Sequence, residues 1–68
     1  MYKVGQEINI GIYGGFKLQS KLKRKAKIVS INDNIITIRV SCSHGGYRRM
    51  FGTEYGLKKL EENYKEWR

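Results

Sequence analysis

The sequence predicts a small, mainly β domain of the α+β class: a strongly curled antiparallel meander of four to five strands, followed by a C-terminal helix. Three observations predict it. Apolar and polar residues alternate along extended runs. Glycine and asparagine clusters separate those runs. After Phe51 the apolar spacing lengthens from two residues to three and four. The chain has 68 residues, which leads us to expect one domain, with the sheet over 1–52 and the helix over 53–68. A chain of this size buries only about 60% of the surface its unfolded form exposes, so its core is thin.

The first run, Glu7 to Tyr13, alternates cleanly and puts Ile8, Ile10 and Ile12 on one face. Gly14-Gly15 supplies the positive φ angles that a tight hairpin needs. The second run, Phe16 to Ile28, separates its side chains by parity. Phe16, Leu18, Leu22, Ala26 and Ile28 share one side with Ser20 and Arg24, while Lys17, Lys21, Lys23, Lys25 and Lys27 share the other with Gln19. Successive strand side chains point to opposite faces. A helix would spread the same lysines around its cylinder. Thirteen residues are long for one strand. That length predicts a bend or loop near Gln19 to Lys21, or a change of pairing partner along the run. The turn Asn32-Asp33-Asn34 leads into Ile35 to Cys42, where Ile36, Ile38, Val40 and Cys42 share a face. On that pattern Cys42 is a small core residue. Gly45-Gly46 then precedes a shorter run, Tyr47 to Phe51.

Thr53 is the expected N-cap of the helix, with Glu54 favourable in its first turn. Leu57, Leu60, Tyr64 and Trp67 form one apolar stripe. Lys58 with Glu62, and Glu61 with Lys65, pair four residues apart on the exposed side. Such a helix, roughly three turns long, is marginal alone. It is expected to lay Leu57, Leu60 and Trp67 over the open side of the sheet and so complete the core. Tyr2, Tyr55 and Tyr64 are expected to pack in the core or at its rim.

The opening Val4-Gly5-Gln6-Glu7-Ile8, the basic entry Lys25-Ala26-Lys27-Ile28-Val29 into the second strand, and the Asn32-Asp33-Asn34 turn carry a resemblance. Over roughly residues 4 to 51 the chain resembles the SH3-like small barrels, including the KOW-type modules of ribosomal and transcription proteins. The resemblance implies that the curled meander closes into a barrel.

Charge directs the functional reading. The net charge is +8, from 14 Lys and Arg against 6 Asp and Glu. Residues 54 to 68 carry Glu54, Glu61, Glu62 and Glu66 against Lys58, Lys59, Lys65 and Arg68, and are neutral. The whole excess therefore lies in residues 1 to 53, where Glu7 and Asp33 alone oppose the cations. Segregation of one sign steers a protein toward the other. The comb Lys17, Lys21, Lys23, Lys25 and Lys27, joined by Arg24, is the main candidate. Arg39, Arg49, Tyr13 and Tyr47 share its parity on the other strands, and Arg48 is placed to reach around the edge. Lysines neutralise phosphates and release counterions, arginines add bidentate contacts, and tyrosines offer planes for unstacked bases. The pattern predicts a non-enzymatic module that binds nucleic acid, RNA or DNA. The competing expectation is a protein-interaction or inhibitor module, of a size found among phage and mobile-element accessory proteins. Its basic face would dock on an acidic or nucleic-acid-handling protein. A solvated face on which lysine merely discourages edge pairing is the bland alternative.

Other chemistry finds little footing. The segments Gly11 to Gly15 and Ser41 to Gly46 match no P-loop or dinucleotide fingerprint, so no cofactor is expected. One cysteine and one histidine do not make a zinc set. A Cys42–His44 nucleophile pair conflicts with the core placement expected for Cys42. Paired carboxylates are missing from the sheet, and Glu61, Glu62 and Glu66 read as a solvated helix face, so no catalytic residue is assigned. A single cysteine excludes an internal disulfide, which favours a reducing compartment and a cytoplasmic location. No run approaches the length of a membrane span, and the charge balance of the helix argues against binding anionic lipid.

Overall fold

The computed structural model describes residues 2–14, 20–42 and 45–67. Met1, residues 15–19, Ser43, His44 and Arg68 lie outside that set, and with them the readings made for Gly15, Phe16, Lys17, Leu18, Gln19 and His44. Four strands, β1 (Glu7–Gly14), β2 (Ser20–Asn32), β3 (Ile35–Ser41) and β4 (Tyr47–Gly52), precede one helix, α1 (Glu54–Glu66). The strands form a single antiparallel sheet in the order β1-β2-β3-β4. Mainly β with a C-terminal helix is the predicted class.

The long β2 resolves its length by changing partners. Its first part, Ser20 to Lys27, pairs with β1, and its second part, Ala26 to Asn32, pairs with β3. The register slips between Ile28, opposite Ile38, and Ser30, opposite Thr37, leaving Val29 as the extra residue. A bulge of this kind bends the strand and strengthens its twist. The irregularity thus falls at Val29, and at Lys21 the strand runs regularly. Two residues, Asp33 and Asn34, link β2 to β3, and Asp33 takes the left-handed φ of +55°. A short polar side chain tolerates that conformation better than most.

Alternation decides which residues meet. Ile8 lies opposite Ala26, Ile28 opposite Ile38, Ala26 opposite Val40, and Ile38 opposite Met50. Ile8, Ile10, Ala26, Ile28, Ile36, Ile38 and Val40 form the buried inner face, joined by Leu57 from α1 and flanked by Tyr2, Ile12, Met50 and Leu60. Burying an aliphatic side chain of this kind contributes about 1.5–3 kcal/mol. Thr53 caps α1, its hydroxyl accepting from the Gly56 N–H at 3.1 Å. Tyr2, ahead of the sheet, donates from its hydroxyl to the Glu61 carboxylate and ties the N-terminus to the helix.

Four expectations are corrected. First, the sheet stays open and does not close into an SH3-like barrel. Closure requires β1 to pair with β4, but α1 lies along β1 instead, and the Asn63 side-chain amide donates to the Gly11 carbonyl at 3.2 Å. Secondly, Cys42 is exposed, because β3 ends at Ser41 and the alternation that would have buried it ends there too. Thirdly, Trp67 does not join Leu57 and Leu60 in the core. The helix crosses the β1 edge, so its first half packs on the inner face and its last residues reach side chains of the opposite parity. The crossing point is Gly11, where a Cβ would stand 2.8 Å from Trp67 Cε3 and 2.9 Å from Asn63 Cβ. Fourthly, Tyr55, expected in the core or at its rim, is exposed. Among the described residues no helix is long and apolar enough to cross a membrane.

Candidate nucleic-acid interface

The odd-numbered side chains of β1, β3 and β4, and of β2 as far as Lys27, stand on the outer face, away from the isoleucine core. Register converts the cations of separate strands into a row. Lys27 of β2 is opposite Arg39 of β3, and Arg39 is opposite Arg49 of β4. All three are exposed. Antiparallel neighbours lie about 4.8 Å apart in the pairing direction, so the row sets three positive side chains across roughly 10 Å. Like charges this close repel unless an anion lies between them.

Tyr47, opposite Ser41, extends the row toward one end of the sheet. The Arg39 guanidinium sits over its ring at 4.3 Å from the centroid. That contact is worth about 0.5–1 kcal/mol at an exposed site. Tyr47 remains 68% exposed. The Ser41 hydroxyl donates to the Lys25 carbonyl at 3.1 Å, holding β2 and β3 together where their ladder runs out. Lys25, Lys27, Arg39, Ser41 and Tyr47 line one shallow depression, with Glu7 as the acidic residue on its wall. Glu7 faces Lys27 in the register and offsets part of its charge.

Further along β2, Lys23 lies opposite Gly11 and Lys21 opposite Tyr13. Here the helix adds what parity alone did not supply. The Lys21 ammonium lies over the Trp67 ring at 5.6 Å, and the Lys23 ammonium over Tyr64 at 5.0 Å. Tyr13 meets Trp67 edge to face, with ring centroids 5.0 Å apart. Tyr13 is 55% exposed, and Trp67 and Tyr64 are half-buried. Lysine side chains are flexible, so leaving a ring costs each ammonium no more than about 0.5–1 kcal/mol.

The structure therefore brings together Tyr13, Lys21, Lys23, Lys25, Lys27, Arg39, Tyr47 and Arg49. It separates Arg24 and Arg48 from them. Arg24 lies opposite Ile10 and Arg48 opposite Val40, so both belong to the inner-face parity. They border a recess with Ile12, Leu22, Val40 and Cys42. Arg24 also donates to the Lys23 carbonyl at 2.9 Å. Lys17 lies outside the described residues. Trp67 and Tyr64 are the members sequence reasoning missed. The available signal was Gly11, a residue without a side chain inside an isoleucine-rich strand, which marks the close approach of another element.

No family model, curated protein or solved structure matches the chain. Among the described residues, no three of His, Cys, Asp and Glu converge as metal ligands. Nor does the outer face hold a pair of carboxylates. What the arrangement does offer is fixed positive charge beside exposed aromatic rings.

Proposed function

We propose that the protein is a non-enzymatic nucleic-acid-binding module, acting in a reducing, cytoplasmic compartment, that grips the sugar–phosphate backbone with its outer sheet face. The observation that carries the reading is the in-register row Lys27–Arg39–Arg49, with Lys25 and Tyr47 beside it. Three cations aligned by a ladder are costly to hold together in isolation, and a phosphodiester chain relieves their repulsion by supplying anions at a regular spacing. Lys21, Lys23, Lys25 and Lys27 extend the positive surface along the first part of β2. Contacts of this sort are tolerant of sequence, because phosphates carry none.

A titration of RNA and DNA oligonucleotides across salt concentration tests the proposal. With four to six cations engaged, log K should fall against log salt with a slope of about −3 to −5. Lys27→Glu and Arg39→Glu should each weaken binding to all sequences alike and reduce the slope by about 1. Both side chains are exposed, so thermal stability should change by less than about 0.5 kcal/mol. Affinity that stays constant between low and moderate salt overturns the reading. An acidic protein surface then becomes the partner to seek, by pull-down after nuclease treatment.

A further inference from the structure

Among the described residues, the outer face repeats one arrangement three times: a cation over an aromatic ring. Lys21 covers Trp67, Lys23 covers Tyr64, and Arg39 covers Tyr47. Two of these pairs draw their ring from the helix and their cation from β2. They exist because Gly11 lets the helix cross the β1 edge at that point. Tyr13 meets the edge of Trp67 and adds a third aromatic ring beside Trp67 and Tyr64.

A nucleotide presents the complementary pair: a flat base joined through a sugar to an anion. In a duplex the base faces are closed within the stack, and only base edges and phosphates reach a protein surface. In a single strand both elements are free, so each ring can take a base while its cation turns to the neighbouring phosphate. A surface built from charge alone has no such preference. It favours the duplex, which carries the denser charge and releases more counterions per contact. We infer that the face takes single-stranded nucleic acid, with a base stacked in the Tyr13–Trp67–Lys21 cluster and a second on Tyr47, and the chain between them running along the lysines of β2. This rests on the nucleic-acid reading above and adds strandedness and aromatic stations to it.

The two stations lie on the two edge strands of the sheet. Tyr47 is on β4 at one end, and Tyr13 is on β1 near its hairpin end. Three strand spacings in one direction and four residues in the other separate them by about 20 Å. Roughly four to six nucleotides cover that distance, within the range small β-sheet modules accommodate. Lys25 and Lys23 lie between the stations on β2 and face β1 residues Asn9 and Gly11, neither of them acidic. Between Lys25 and Tyr13 the path therefore meets no carboxylate, and Glu7 borders only its Tyr47 end.

Trp67 is the single tryptophan of the chain, so its fluorescence reports one station without labelling. The full-length protein is titrated with three probes of about twelve units: a single-stranded oligonucleotide, its duplex, and an abasic phosphodiester chain. The single strand should quench Trp67 and bind at least about ten-fold tighter than the abasic chain, as expected for two or more stacked bases. Tyr13→Leu and Tyr47→Leu should each lower single-strand affinity by about five-fold or more and leave abasic-chain affinity unchanged. The leucine variants retain apolar bulk, and matched circular dichroism and melting temperatures confirm their fold. Tight duplex binding with unquenched Trp67, or equal affinity for the base-bearing and abasic chains, overturns the single-strand inference and leaves the backbone-binding reading intact. Failure of all three probes to bind at low salt sinks both.

Discussion

Replacing Gly11 with alanine tests the geometry on which both the fold and the aromatic cluster depend. Gly11 is buried, and a Cβ there would meet Trp67 Cε3 at 2.8 Å, Trp67 Cζ3 at 2.9 Å and Asn63 Cβ at 2.9 Å. Real Cβ contacts essentially never fall below 3.0 Å. One of the three atoms belongs to the stem of a helical residue, so a rotamer change cannot relieve the whole overlap. Overpacking of this kind costs about 1–3 kcal/mol. If the helix end lifts away instead, the molecule loses the Asn63–Gly11 hydrogen bond, worth about 0.5–1.5 kcal/mol, and the Tyr13–Trp67 pair, worth about as much. The backbone at Gly11 does not need a positive φ. Alanine therefore recovers about 0.4–1 kcal/mol by restricting the unfolded chain. The net loss is about 1–2 kcal/mol, or a melting temperature lower by roughly 5–15 °C in a domain of this length. Thermal unfolding followed by circular dichroism gives the first number, and the Trp67 emission maximum reports whether the ring has moved into water. Gly14→Ala serves as an internal comparison. Its Cβ meets the Leu22 Cδ1 methyl, the movable end of a side chain, and should cost less. A Gly11→Ala protein as stable as wild type, with unchanged Trp67 emission, refutes the crossing of α1 over β1 described above.

Leu57→Ala empties the one fully enclosed helix position in the core and should cost about 2–5 kcal/mol, measured as a lower urea midpoint with an unchanged slope. Thr53→Ala removes the acceptor for the Gly56 N–H and should cost about 0.5–2 kcal/mol in the same experiment. Tyr2 supplies a pH dependence. Its burial, and then its hydrogen bond to the Glu61 carboxylate, push the phenol well above the ordinary tyrosine range. The folded protein thus holds this proton more tightly than the unfolded chain does. The resulting stability is fully present below the unfolded value of about 10 and is lost as pH rises beyond it. Wild type should lose stability more steeply than Tyr2→Phe above pH 10, and an equal slope for the two proteins removes Tyr2 as the cause.

Local pattern was enough to place the strands, the turns and the helix, because each depends on neighbours in sequence. Alternation placed Ile8, Ile10, Ile36, Ile38 and Val40 on one face. Asp33 and Asn34 mark a turn, and Thr53 begins a helix. The same alternation grouped Lys21, Lys23, Lys25 and Lys27, since parity along a strand does not depend on what the strand pairs with. Register lies beyond a single strand. The extra residue at Val29 shifts the β2–β3 pairing, and only that pairing reveals Arg39 standing between Lys27 and Arg49. Alternation alone had set Arg24 and Arg48 on the opposite parity, and the pairing with Ile10 and Val40 keeps them there.

The path of the helix was least legible of all. Its apolar stripe named the residues that pack but gave no direction for the packing. Leu57 and Trp67 lie on the same stripe, yet one enters the core and the other meets Tyr13 on the far side of β1. A stripe records which side chains avoid water, and burial against either face satisfies it equally. What breaks the tie is shape: the gap at Gly11, the carbonyl that Asn63 finds there, and an open β1 edge that a closed barrel would have consumed. Sequence thus determined the elements and the sign of the outer surface. Tertiary structure alone decided which aromatic rings stand beside its charges, because that depends on contact between residues some fifty positions apart, Gly11 and Asn63 among them.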